Sequence, residues 1–188
     1  MAPHYLAPRQ KKRQGATLVF WDESGFSLTP YTAKTWAPRG QTPVVRHGAA
    51  WAKLSALSAV TTRGRFYFTL HRGSIRTPQV CRFLRHLLRH CRGWVILLWD
   101  RAPIHRSRAV GRLVATYRDR LEVVPLPPYA PDLNPDEWAW AHLKCRELAN
   151  HTAPDTPTLQ QAIRRAVRRM RRRPTLIQSF LQASELPW

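Results

Sequence analysis

Apolar residues in this chain fall into short dense runs, separated by polar and proline-rich stretches. Ala16 to Trp21 is one such run and reads as a buried strand closing at Asp22-Glu23-Ser24-Gly25, a turn sequence. Leu54 to Thr61 and Arg65 to Leu70 are β-rich, and Thr62-Arg63-Gly64 between them has the length and the glycine of a hairpin turn. Thr77-Pro78 predicts a helix start, with the hydroxyl as cap and proline in the first turn. Behind it Val80, Phe83, Leu84, Leu87, Leu88 and Cys91 recur at helical spacing, and Gly93 ends the pattern. Trp94 to Trp99 is unbroken and apolar, as expected of a strand covered on both faces, and it delivers Asp100 at its C-terminal end.

Val110, Leu113, Val114 and Tyr117 predict a second amphipathic helix, and Leu121 to Val124 a short strand. Pro125 to Pro135 contains five prolines and reads as an irregular loop. Asn134-Pro135 opens another helix, whose inner face is expected at Trp138, Ala141, Cys145 and Leu148. Thr156-Pro157 opens a last one, with Leu159, Ile163, Val167 and Met170 inward and arginines elsewhere through Arg173. Strands in a run, followed by alternating helices and strands, predict an α/β fold: a mixed sheet flanked by helices, compatible with a ribonuclease-H-like architecture. The expected division is a basic flexible lead-in over residues 1–15, one domain over 16–173 and a C-terminal tail over 174–188.

Composition sharpens the picture. The chain has 188 residues, 44% of them hydrophobic, which is enough for one well-filled core and argues against disorder. Thirty-one Lys and Arg face eleven Asp and Glu, a formal charge of +20. An imbalance of that size is self-repelling unless a polyanion offsets it, and nucleic acid is the usual one. A GC-rich coding sequence accounts for Arg over Lys, but not for the shortage of acids. No run approaches the roughly 18 apolar residues of a membrane span, and the basic N-terminus lacks a signal-peptide core, so a cytoplasmic, nucleoid-associated location is expected. Cys81, Cys91 and Cys145 are odd in number and scattered, which fits neither a disulfide framework nor a zinc ribbon and predicts buried free thiols.

With so few acids, the position of each is informative. Asp22 and Asp100 both follow apolar runs ending in Trp, so both emerge at the sheet rim. There they serve either as turn residues or as ligands for a hard divalent cation. Glu137 occupies the third position of the helix opened by Asn134, where it is equally a capping-box residue and a candidate ligand. Asp132 and Asp136 compete with it, and Glu23 competes with Asp22. His86 and His90 stand four apart, a spacing that can bind metal. With no third ligand in view, a solvated or DNA-facing role is the expectation.

At this point the residues resemble a family. The blocks are Asp22-Glu-Ser-Gly-Phe26, Thr35-Trp-Ala-Pro-Arg-Gly-Gln-Thr-Pro43, Trp99-Asp-Arg-Ala-Pro-Ile-His105 and Leu126-Pro-Pro-Tyr-Ala-Pro-Asp-Leu-Asn-Pro-Asp-Glu-Trp138, followed by Leu143-Lys144. In that order they resemble the catalytic domain of mariner-superfamily transposases, best the bacterial insertion sequence 630 family, from about Leu18 to about Met170. The resemblance implies a ribonuclease-H-like fold and a DDE triad of Asp22, Asp100 and Glu137, with 36 residues between the last two. It also implies Mg²⁺ or Mn²⁺ as a pair of ions, double-stranded DNA (transposon ends and target) as partner, a homodimer on DNA, and strand cleavage followed by strand transfer. Arg39, Arg46, Lys53 and Lys144 are expected to contact phosphates. Two departures stand out. Arg101 replaces the Asn usual after the second Asp and is expected to point away from the metal. The helix-turn-helix regions that precede this domain in the family are expected to be absent. The rival expectations are a catalytically silent DNA-binding remnant, another ribonuclease-H-like nuclease, and a basic structural protein.

Overall fold

The computed structural model describes residues 15–46, 53–128, 130–184 and 186. The expected lead-in, residues 1–15, lies outside them except for Gly15. The strands are β1 (Thr17–Ser27), β2 (Lys53–Thr61), β3 (Phe66–Arg72), β4 (Val95–Trp99) and β5 (Leu121–Pro125). The helices are α1 (Thr77–His90), α2 (Arg108–Thr116), α3 (Pro135–His142), α4 (Thr156–Arg171) and α5 (Pro174–Ala183). Short 3₁₀ turns occupy Pro103–Arg106 and Pro131–Leu133, and α3 runs on into a π turn at Leu143–Glu147.

The five strands form one mixed sheet in the order β3-β2-β1-β4-β5. β1 to β3 are an antiparallel meander, whereas β4 and β5 continue the sheet in parallel with β1. Side chains alternate across a strand, so each central strand feeds two cores. Leu18, Phe20, Ile96 and Leu98 join a cluster with residues of α3, α4 and α5. Val19, Trp21, Leu97 and Trp99 join the opposite cluster with α1 and α2. Both faces are thus covered, which is why these runs are continuously apolar rather than alternating. Gly64 takes a positive φ of 69° in the β2–β3 turn, a conformation that glycine adopts without the steric cost a Cβ brings.

Several expectations change. β1 does not end in a turn at Asp22: it continues to Ser27, because β2 pairs with it from Val19↔Thr61 through Ser27↔Lys53. Its parallel neighbour β4 stops earlier, at Phe20↔Leu98. Arg76, not Thr77, is the N-cap of α1, without a side-chain bond. Asp155, not Thr156, caps α4, its carboxylate accepting from Thr158 N at 2.7 Å. The inner face of α3 is Asp136, Ala139, Trp140 and Leu143, while Trp138, Ala141 and Cys145 face outward. The apolar pattern misled because that face begins with a buried acid, and because the π turn places Leu148 five residues beyond Leu143 instead of four. Cys145 is consequently an exposed thiol, against expectation, and Cys81 and Cys91 are buried as expected. The expected tail from residue 174 instead contains α5, which buries Ile177, Phe180 and Leu181 in the α3–α4 core.

Two polar devices close the fold. Arg171 of α4 donates from Nε to Phe66 O at 2.9 Å, covering the outer edge of β3 that would otherwise be unpaired. Asn150, with φ 56°, clamps the chain after β1 by accepting from Ala33 N at 2.9 Å and donating to Ala33 O at 3.0 Å. No described helix is long and apolar enough to cross a membrane.

Candidate active site

The register of β1 explains why Asp22 matters. It lies just past the last residue pair that β1 shares with β4, so one flank of the strand is open there while β2 still holds the other. By alternation its side chain points to the α3 side, and Trp140 Nε1 donates to Asp22 Oδ2 at 3.1 Å. Glu137 is exposed in the first turn of α3, where a helix N-terminus favours negative charge. It does not close a capping box. Asn134 caps the helix by accepting from Asp136 N at 3.2 Å, and the Asn134 N–H donates to Pro131 O at 2.8 Å, not to Glu137. Asp100 is exposed at the end of β4, its Oδ1 accepting from Ala102 N at 2.9 Å, a turn-forming bond of the kind Asp favours. Arg101 is exposed.

These acids feel one another. Burial, then the negative charges of Glu137 and Asp100, raise the Asp22 carboxyl from 3.8 to about 7. Asp136 is fully buried and lies deeper. Ser58 Oγ on β2, opposite Asp22 in the register, donates to Asp136 Oδ2 at 2.7 Å, while Oδ1 has no hydrogen-bond partner. Burial and the neighbouring Asp22 push the Asp136 pKa well above its ordinary value. Enclosed in this way, it is not accessible to an ion, which separates it from Glu137 one residue on.

Three side chains that the sequence did not single out for this site complete it. His105 is buried, stacked on Trp99 at 4.3 Å with its Nδ1 2.9 Å from Asp100 Oδ1 and its Nε2 3.3 Å from Glu23 Oε1. Burial opposes its protonation, but Glu23 and Asp100 outweigh that and raise its pKa. Trp140 is the second, and its position was hidden by the misread face of α3. Lys144 is the third. Expected to contact phosphate, it is half-buried, with Nζ 2.6 Å from Ser24 Oγ and over the Phe26 and Tyr31 rings at 5.6 and 5.7 Å. Burial lowers its pKa, while Glu137 and Asp22 pull the other way. The only sequence signal for His105 was its place in the Trp99–His105 block.

Arg39, Arg46 and Lys53 are exposed, the first two in the loop after β1 and the last at the start of β2. His86 and His90 are exposed neighbours with ring centres 4.3 Å apart. Among the described residues no three His, Cys, Asp or Glu side chains form a ready-made metal cage. Around Asp22 the candidate ligands are carboxylates alone. Their donor set, all carboxylate oxygen, suits Mg²⁺ or Mn²⁺ rather than a softer ion, and a cation there would offset the burial and the repulsion that together raise Asp22 to about 7.

A five-stranded mixed sheet with helices on both faces, and acids converging beside its central strand, defines a ribonuclease-H-like protein. Residues 17–160 match the family model described as DDE superfamily endonuclease, and the chain belongs to that family. Among solved structures it resembles the Mos1 transposase paired-end complex with left transposon end, with a TM-score of 0.62 and 21% identity over 96% of this chain and 60% of that one. The Mos1 mariner paired end complex with Mn gives 0.61 and 19%, over 97% and 60%. The catalytic domain of Mos1 mariner transposase gives 0.59 and 17%, over 97% and 90%. The chain therefore spans about 60% of the length of the Mos1 chains in the paired-end complexes. No curated protein sequence matches it significantly.

Proposed function

We propose that this chain is the catalytic part of a transposase that cuts DNA and joins the cut end to a target, of the bacterial insertion sequence 630 type. Asp22, Asp100 and Glu137 would hold a pair of Mg²⁺ or Mn²⁺ ions. The observation that carries the reading is the set of three acids beside β1, where burial first, and then the charges of Glu137 and Asp100, lift Asp22 to about 7. Clustered, partly desolvated acids of this kind mark functional sites more often than structural ones. Ions bound there supply Lewis acidity and a water or hydroxyl nucleophile at neutral pH.

The surrounding residues have separable tasks. Trp140 fixes one oxygen of Asp22 and so orients the carboxylate for a ligand role. His105 and the Ala102 N–H hold Oδ1 of Asp100 in the same way. Lys144 offsets negative charge beside Asp22 and Glu137. Arg39, Arg46 and Lys53 stand exposed, ready to contact DNA phosphates, which give affinity and position rather than sequence choice. A homodimer on DNA is supported by Trp36, wholly exposed in the loop after β1 together with Val44, since large apolar side chains left in solvent mark interaction surfaces. Cytoplasmic action on the nucleoid follows from the same reading.

The test is cleavage of duplex DNA carrying transposon-end sequence, with Mg²⁺ or Mn²⁺ and with EDTA, by the wild type, Asp100→Ala and Glu137→Gln. Metal-dependent cleavage by the wild type that drops by about 10³-fold or more in either variant is the expected result, the scale on which loss of an electrostatic stabiliser is felt. Equal cleavage by all three overturns the triad. Binding without cleavage by the wild type overturns the enzyme and leaves a DNA-binding remnant.

A further inference from the structure

The charge of this protein is not confined to the side that carries the acids. Arg63 and Arg65 from the β2–β3 turn, and Arg89 and Arg92 from the end of α1, line a cleft of about 420 Å³ with Tyr67 and His90. No carboxylate lines it. Arg89 also borders a groove of about 650 Å³ that runs along α1 past Arg82 and Arg85. The inward face of α1 is entirely apolar, whereas Arg82, Arg85, Arg89 and Arg92 are all exposed. None of these six arginines forms an ion pair with a carboxylate among the described residues; the Arg pairs there are Arg118–Asp119 and Arg169–Glu147.

A structural role for these cations is already filled. Arg120 of the α2–β5 turn donates to Leu88 O, and to Cys91 O at 3.3 Å, satisfying the negative C-terminal end of α1. Arg89 and Arg92 are therefore free of that duty, and the repulsion among like charges that share the cleft is one that a bound polyanion would offset. His86 registers the field: burial, then His90, Arg171 and Arg89, lower its pKa.

We infer that the outer face of α1, with the adjoining cleft, is a second docking surface for duplex DNA, gripping its phosphate backbone on the opposite side of the sheet from Asp22 and Glu137. Position sets it apart from the acidic site. α1 packs on the Trp21 side of the sheet, whereas α3 and Asp22 lie on the Phe20 side. The cleft also reaches Thr17, at the beginning of β1, roughly 16 Å along the strand from Asp22 at about 3.3 Å per residue. Spacing agrees with a phosphate backbone. From Arg82 to Arg89 is roughly 10 Å along the helix at about 1.5 Å per residue, comparable to three rises of about 3.4 Å along one DNA strand. The chemistry selects duplex over single strand. Single-strand binders add exposed aromatic platforms on which bases stack. Tyr67 is buried here, and the exposed large hydrophobics among the described residues, Trp36, Val44 and Trp138, are not on α1. Charge without stacking reads backbone and not bases.

The test needs no catalysis, so it stands or falls apart from the transposase reading. Binding of a short random-sequence DNA duplex is measured by fluorescence anisotropy in EDTA across a salt series, with a single strand of the same length as competitor. The wild-type protein is compared with a variant carrying Arg82→Gln, Arg85→Gln, Arg89→Gln and Arg92→Gln. A control variant makes the same charge change on α4, with Arg164→Gln, Arg165→Gln, Arg168→Gln and Arg172→Gln. Thermal melts confirm that both are folded, as expected for exposed positions. The α1 variant should lose about 10-fold or more in affinity, and its slope of log K against log salt should fall by about 3 to 4, at about 0.9 per lost phosphate contact. The control should keep most of the wild-type slope. Equal losses in the two variants would mean bulk charge alone and overturn the surface. No loss in the α1 variant, or preferential binding of the single strand by the wild type, would overturn it as well.

Discussion

Trp140 Nε1 donates to Asp22 Oδ2 at 3.1 Å across 118 residues of sequence. The indole is nearly solvent-free, packed edge-on against Phe26 at 5.9 Å and tilted on Phe68 at 6.0 Å, so its N–H has little freedom to point elsewhere. One oxygen of Asp22 is thereby fixed and the carboxylate oriented. Trp140→Phe keeps most of the packing and removes the bond. Partners of this kind around metal ligands are typically worth about 10–100-fold in metal affinity or activity. A loss on that scale in Mn²⁺ binding, measured by calorimetry, is expected together with only a small drop in melting temperature. Unchanged Mn²⁺ affinity would show that the bond only packs the helix against the sheet.

Asp136 and Glu137 are adjacent acids with opposite situations, and substitution should separate them. Asp136 is a buried acid bonded to Ser58, and burial raises its pKa well above the ordinary value, so Asp136→Asn keeps its shape and its acceptor and removes the charge that burial disfavours. That variant should be folded, and as stable as the wild type or more so at pH 8. Asp136→Ala leaves Ser58 Oγ buried without its partner, an omission that costs about 1–3 kcal/mol before any cavity is counted. Urea denaturation of the two variants checks both statements. Glu137→Gln, at an exposed site, should leave the denaturation midpoint almost unmoved. A marked destabilisation by Asp136→Asn would mean that the charged form is the one the fold requires.

The sheet was readable in advance because its strands are buried on both faces, and a continuous apolar run such as Val95–Trp99 can hardly be anything else in that context. The end of β1 was not. Asp22-Glu23-Ser24-Gly25 has turn composition, and only its pairing with β2, more than thirty residues away, keeps it extended. Asp22, Asp100 and Glu137 were legible as acids at the ends of apolar runs or the start of a helix, yet local sequence left Glu137 balanced between cap and ligand. The bond from Asn134 N–H to Pro131 O now excludes the capping box. The inward positions of Asp136 and Trp140 were hidden for a single reason. A hydrophobic pattern cannot register a buried acid, so α3 was read with the wrong face inward.

Asp22 makes stability depend on pH in a direction opposite to that of a salt-bridged acid. Unfolded, it titrates near the ordinary 3.8; folded, near 7. Between those values the native state retains a proton that the unfolded chain has lost, so stability falls as pH rises. The contribution is complete below about pH 4 and gone above about pH 7, the two ends set by the values just given. In EDTA the melting temperature should therefore decline across that window. Asp136 acts in the same sense, because its pKa is also raised, in part by Asp22. Asp22→Asn removes one titration and eases the other, so its melting curve should be flatter: close to wild type at pH 5 and above it at pH 8. A divalent ion inverts the trend, since it takes the place of the proton and binds better as pH rises. Added Mn²⁺ should accordingly stabilise the wild type more at pH 8 than at pH 5.5, and Asp22→Asn little at either. Parallel melting profiles for the two proteins in EDTA would show that Asp22 titrates as an ordinary surface carboxylate, without the burial and repulsion described here.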